Sequence, residues 1–142
     1  MRRLAALGKA LASLVLALAV QGASAAATEQ RPPLKGVSAV RIANYGAPST
    51  IVKGRDEVRA IVGDLNELRS KPWHRGETKL SCYSTIVLLS GEKTIGIFRV
   101  GTEYVVERPT EKGQSSYSLA LDRADLPNLR KHLAEVVPAK CQ

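Results

Sequence analysis

The chain has little of what usually announces chemistry. Its 142 residues hold two histidines, two cysteines, one tryptophan, one phenylalanine and one methionine, and aromatics make up 4%. His74 and His132 come without HExxH or CxxC spacing, so sequence neighbours build no metal set. A GxSxG elbow, a Walker phosphate loop and a Gly-rich dinucleotide fingerprint are all missing. Ser81, Ser84, Ser115, Ser116 and Ser118 have no base beside them in the sequence. The sequence therefore assigns no catalytic residue, no metal ligand and no cofactor. There is no internal repeat and no long low-complexity segment.

The chain also lacks a hydrophobic run long enough for an ordinary transmembrane helix. What it has is Met1-Arg2-Arg3, a basic start to Lys9, apolar residues from Ala10 to Val20, then Ala23-Ser24-Ala25. That is the pattern of a secretory signal peptide over 1–25. The mature protein is expected to begin near Ala26, to be periplasmic or secreted, and not to be an integral membrane protein. Cleavage deletes Arg2, Arg3 and Lys9, three of 21 basic residues against 13 acidic ones, so the net charge falls from +8 to +5. That weakens any nucleic-acid reading and leaves anionic proteins, glycans or lipid head groups as electrostatic partners.

With two cysteines only one internal pairing exists, Cys82 with Cys141, in a compartment that permits disulfides. Closing so long a loop is worth about 4 kcal/mol in the chain-entropy model. The bridge would pin a C-terminal tail that otherwise frays.

The central stretch reads as a β-hairpin. Residues 80–89 and 94–100 are β-branched and apolar, and Gly91-Glu92 between them suits a two-residue type II′ turn. An unbroken ladder from that turn sets Leu88 opposite Ile95, Ile86 opposite Ile97 and Thr85 opposite Phe98. Leu80, Cys82, Ile86, Leu88, Ile95 and Ile97 then form the face that helices cover. Tyr83, Thr85, Val87, Leu89, Phe98, Val100 and Val105 form the other.

Around the hairpin, 26–36 is a polar, Pro-rich, flexible lead-in, and 37–42 is an extended strand. Val58, Ile61, Val62, Leu65 and Leu68 make one apolar stripe on a helix over 56–69, which Pro72 stops. Residues 103–107 return as a third strand of a meander, and Tyr117, Leu119 and Leu121 alternate as a fourth. Asp125 can cap a last helix with Leu126, Leu129, Leu133, Val136 and Val137 in its stripe. The expected fold is α+β: an antiparallel sheet of four to five strands with two helices on one face, in the order β-α-β-β-β-β-α, with one disulfide. A single domain over 37–142 accommodates it.

Two candidate sites emerge. Residues 71–76 join Lys71, Trp73, His74 and Arg75. A Trp beside Arg is a frequent interface anchor, while a Trp folded over the end of the sheet would be packing. The second is the face opposite the helices, with Tyr83, Thr85, Val87, Leu89, Phe98 and Val105 rimmed by Lys93, Glu103 and Glu107. An uncovered apolar patch of that kind marks a protein interface. The N-terminal segment, the loop after Pro109 or a second copy could equally cover it.

These residues point to an exported, non-enzymatic module that binds another protein, of the envelope inhibitor or immunity type. The alternatives are a small extracytoplasmic enzyme with His74 as base, and a binder of anionic envelope lipid or glycan through Arg41, Arg55, Arg59, Lys71 and Arg75.

Overall fold

Alternating apolar residues and tight turns organise the middle of the chain into a continuous antiparallel ladder, and a single amphipathic helix covers one side of it. The structure, a computed structural model, describes residues 28–133. The signal peptide expected at 1–25, Val136, Val137 and Cys141 lie outside the described residues. Cys82 is half-buried, no free cysteine occurs among the described residues, and no disulfide has both ends within them.

Eight strands and two helices are present among the described residues. The strands are β1 (Thr28–Glu29), β2 (Ala39–Ala43), β3 (Thr50–Val52), β4 (Trp73–Arg75), β5 (Ser84–Ser90), β6 (Lys93–Val100), β7 (Tyr104–Arg108) and β8 (Tyr117–Ala120). The helices are α1 (Arg55–Arg69) and α2 (Pro127–Arg130). One sheet contains every strand, in the order β1-β4-β8-β7-β6-β5-β2-β3, with all neighbours antiparallel. The α+β class, the antiparallel sheet and the two helices are as the sequence indicates. The strand count is not, because β1, β3 and β4 have only two or three residues each. Such short strands cannot display a period of two. β1 lies in what reads as a flexible lead-in, and β4 in what reads as a loop.

The hairpin turn forms as expected: Ser90 pairs with Lys93, and Gly91 has φ +62. Beyond it the register slips. Leu89 pairs with Thr94 but Leu88 pairs with Gly96, so Ile95 is the extra residue of a β-bulge. Ile86 therefore faces Phe98 rather than Ile97, and Thr85 faces Arg99. A one-residue slip moves every later side chain on the strand to the opposite face. Phe98, Val100 and Val105 belong to the covered core, while Ile97 and Val106 turn to the other side. Gly96 suits the bulge, because a Cβ there would stand 3.0 Å from Leu88 Cδ1 and 3.4 Å from Phe98 Cε2.

One row across the covered face is Ile42, Ile86, Phe98, Glu107 and Tyr117. α1 lies over it, burying Val58, Ile61, Leu65 and Leu68. A carboxylate in an apolar row needs a partner, and the last turn of α1 supplies one. Arg69 Nη1 donates to Glu107 Oε1 at 2.5 Å, and both side chains are less than one-tenth exposed. Burial lowers the pKa of the Arg69 guanidinium, with Glu107 opposing that shift.

α2 is fixed to α1 by a second buried acid. Asp64 accepts hydrogen bonds from the Asn128 and Leu129 backbone N–H groups, at 2.7 and 2.8 Å, and from Asn128 Nδ2 at 2.9 Å. The cap of α2 thus comes from another helix. Asp125, the residue expected in that role, instead accepts from the Asp122 N–H and from Lys71 Nζ. Burial opposes the Asp125 carboxylate, yet those contacts together hold its pKa below the ordinary value.

The residues between β1 and β2 travel from one side of the sheet to the other along α1. The Arg31 N–H donates to the Arg69 carbonyl at 2.9 Å, the Leu34 N–H donates to Asn66 Oδ1 at 2.7 Å, and Leu34 and Val37 pack against the core. The segment read as a lead-in thus runs as a strap against α1.

Candidate functional site

Residues 71–76 do not form one surface. A strand sends alternate side chains to opposite sides, and β4 turns Trp73 and His74 apart. Trp73 is fully buried; its Nε1–H donates to the Leu68 carbonyl at 2.7 Å, and its ring meets Phe98 edge-on at 6.5 Å. Trp73 therefore takes the packing alternative rather than that of an interface anchor, and Phe98 is corrected from the uncovered face to the core. Lys71 Nζ is 3.0 Å from Asp125, and Arg75 pairs with Glu29 at 2.5 Å. His74 is exposed, opposite Ser118 in the ladder. The Ser118 hydroxyl is engaged, accepting from the Thr78 N–H at 2.9 Å and donating to the Gly76 carbonyl at 2.8 Å. Among the described residues, no group of three or more His, Cys, Asp or Glu is placed to hold a metal ion.

The five cations proposed for an anionic partner do not converge either. Arg41 projects from the sheet face opposite Arg55 and Arg59, which line a cleft of about 530 Å³ beside the strap. Lys71 and Arg75 pair with Asp125 and Glu29 towards the β4 side of the sheet.

The face away from the helices is divided. Over β7 and β8 it is covered by residues 76–83; the hairpin strand begins only at Ser84, so Leu80 and Cys82, expected on the helix side of a strand, belong to this cover with Tyr83. Glu77 pairs with both Arg99 and Arg108, Thr78 bonds to Ser118, and the half-buried Tyr83 lies under the Arg99 guanidinium, 4.8 Å from ring centroid to Cζ. Beneath this cover Val106 is fully buried and Ser118 nearly so.

Across β3, β2, β5 and β6 no cover of that kind is found among the described residues. There the ladder aligns Ile51, Arg41, Val87 and Ile97, ending on Arg108 in β7. Ile51 is 48% exposed, Arg41 is exposed, and Val87 and Ile97 are half-buried. Arg41 thus sits within this row, Arg108 ends it and Arg99 lies beside it, with Glu77 paired to Arg99 and Arg108. Val87 is the member of this row that the sequence placed correctly. Ile97, Arg99 and Arg108 required the bulge to be known. Glu107, expected on the rim, lies in the core on the far side.

Comparison with protein-family models, with curated proteins and with solved structures finds no significant match.

Proposed function

We propose that this protein is an exported, non-enzymatic module that binds another protein through the open half of its sheet. The observation that carries the reading is the row Ile51, Arg41, Val87 and Ile97: apolar side chains left accessible, with directed cations beside them. An apolar centre with arginines at its edge is the composition of binding patches. Arg41, Arg99 and Arg108 outnumber Glu77, which favours an acidic surface on the partner. Export, and with it a periplasmic or extracellular partner, rests on the N-terminal signal pattern. No helix among the described residues is long and apolar enough to cross a membrane.

Capture from an envelope extract tests this reading. The mature protein is expected to retain a stoichiometric acidic protein, and Ile51→Glu combined with Arg41→Glu should lower that affinity at least about 30-fold, equivalent to about 2 kcal/mol at the centre of an interface. Both positions are on the surface, so the melting temperature should barely move. His74→Ala and Arg75→Ala should leave capture unchanged. Loss of capture in those two variants, with the double variant unaffected, would move the interface to β4.

A further inference from the structure

On the other side of the sheet, the strap crosses β6 and β7 and borders a half-open cavity of about 290 Å³. Arg31, Leu34 and Lys35 of the strap line it, with Arg69 from α1 and Ile95 and Glu107 from the sheet. Its charges do not balance. Glu107 serves two guanidiniums, Arg69 at 2.5 Å and Arg31 at 3.4 Å, so one positive charge is left over, and exposed Lys35 adds another.

The hydrogen bonding does not balance either. The Arg69 side chain is 7% exposed, and its Nε–H is buried without an acceptor. Glu107 takes Nη1, which leaves the side edge of the guanidinium, made by Nε–H and Nη2–H, as the edge it does not touch. That edge offers two nearly parallel donors, the spacing that two oxygens of one carboxylate match. A buried cation with an unmet donor is an unfavourable state that an anion relieves. A trapped water would accept the hydrogen bond but bring no charge.

We infer that this cavity is a binding site for a small carboxylate, held on the Nε/Nη2 edge of Arg69 with Arg31 as the second cation. Its volume is at the small end of ligand pockets. Arg69, Arg31 and Glu107 together carry one net positive charge, which a carboxylate neutralises, and Lys35 stands at the exposed side. The exposed lining is mostly polar, with Pro33, Leu34, Ile95 and Pro109 as smaller apolar contributions, which suits a short acid rather than a long-chain one. The Arg31 guanidinium stacks on the Tyr117 ring, 3.9 Å from Cζ to centroid, and its contacts to Glu107 are long, at 3.4 and 3.5 Å, so its remaining donors are available to a ligand. The cavity lies on the helix side of the sheet; Arg108, whose guanidinium pairs with Glu77 on the docking face, is the residue common to the two.

Butyrate is the probe, followed on the mature protein by the nitrogen–proton NMR signal of Arg69 Nε. The signal should shift saturably with butyrate and stay in place with butyramide, the uncharged analogue, or with chloride at equal ionic strength. Arg31→Gln should weaken butyrate about tenfold in that titration, and Arg69→Lys, which keeps the charge but lacks the fork, should show no saturable butyrate binding by calorimetry, where the parent does. If Arg69→Lys does not fold, Arg31→Gln on its own decides the matter. A peptide with a free C-terminus, compared with its amidated form, separates the sources. Binding of the free-ended peptide alone assigns the carboxylate to a chain end, and binding of butyrate without the peptide assigns it to a free acid. An unmoved Arg69 signal, an equal shift with butyramide or chloride, or tighter binding of phosphate than of butyrate would overturn the assignment.

Discussion

Trp73→Ala is expected to destabilise the domain by about 3–5 kcal/mol, the range for truncating a buried large aromatic. The indole is completely enclosed, packs on Phe98, and gives its N–H to the Leu68 carbonyl in the last turn of α1. It therefore joins the end of the helix to the strand that follows, and its removal opens a cavity where both meet the sheet. Trp73→Phe retains most of the packing and loses the hydrogen bond, for about 1–2 kcal/mol. Urea unfolding of the two variants checks both numbers. A midpoint for Trp73→Ala equal to that of the parent would show that Trp73 is not in the core.

The second large effect is expected at Glu107. Glu107→Ala leaves the Arg69 guanidinium buried without its carboxylate, a change that costs about 3–5 kcal/mol in comparable sites. The ion pair itself contributes little net stability, because both groups are stripped of water to form it. Arg69→Met together with Glu107→Leu should therefore recover most of the loss, and the double variant should unfold within about 1 kcal/mol of the parent. A double variant no better than Glu107→Ala would mean that the pair organises the core beyond its charge. Chemical denaturation at one pH and salt concentration measures both.

Much of the architecture was legible because it repeats. Val58, Ile61, Leu65 and Leu68 recur at the helical period, and the structure buries them together under one face of α1. Gly91 marked the hairpin turn for a stereochemical reason, and its φ of +62 agrees. The bulge was illegible for an equally physical reason. In Thr94-Ile95-Gly96-Ile97, either isoleucine can face the core, so the apolar pattern fits both registers. The ladder chooses the one in which Gly96 makes room for Leu88 and Phe98. That choice decided the candidate site, since it exchanged Phe98 for Ile97 on the open face. Glu107 was misplaced on the rim because a charge in sequence reads as surface, and Arg69 drew no reading as a core residue for the same reason. Only the long-range crossing of α1 over β7 shows that each is the other's reason for being buried.

The strap sets a length limit on the whole domain. β1 and β2 are separated by β4, β8, β7, β6 and β5, and six inter-strand steps span about 29 Å. The chain from Glu29 to Ala39 reaches at most about 33–36 Å when fully extended. Pro32 and Pro33 help it stay extended, because polyproline geometry advances about 3.1 Å per residue without internal hydrogen bonds. So little slack makes the segment act as a ruler. Extra residues can bulge into solvent, but deleting two shortens the reach by about 7 Å and forces a choice. Either β1 leaves β4, or Arg31 is drawn away from Glu107.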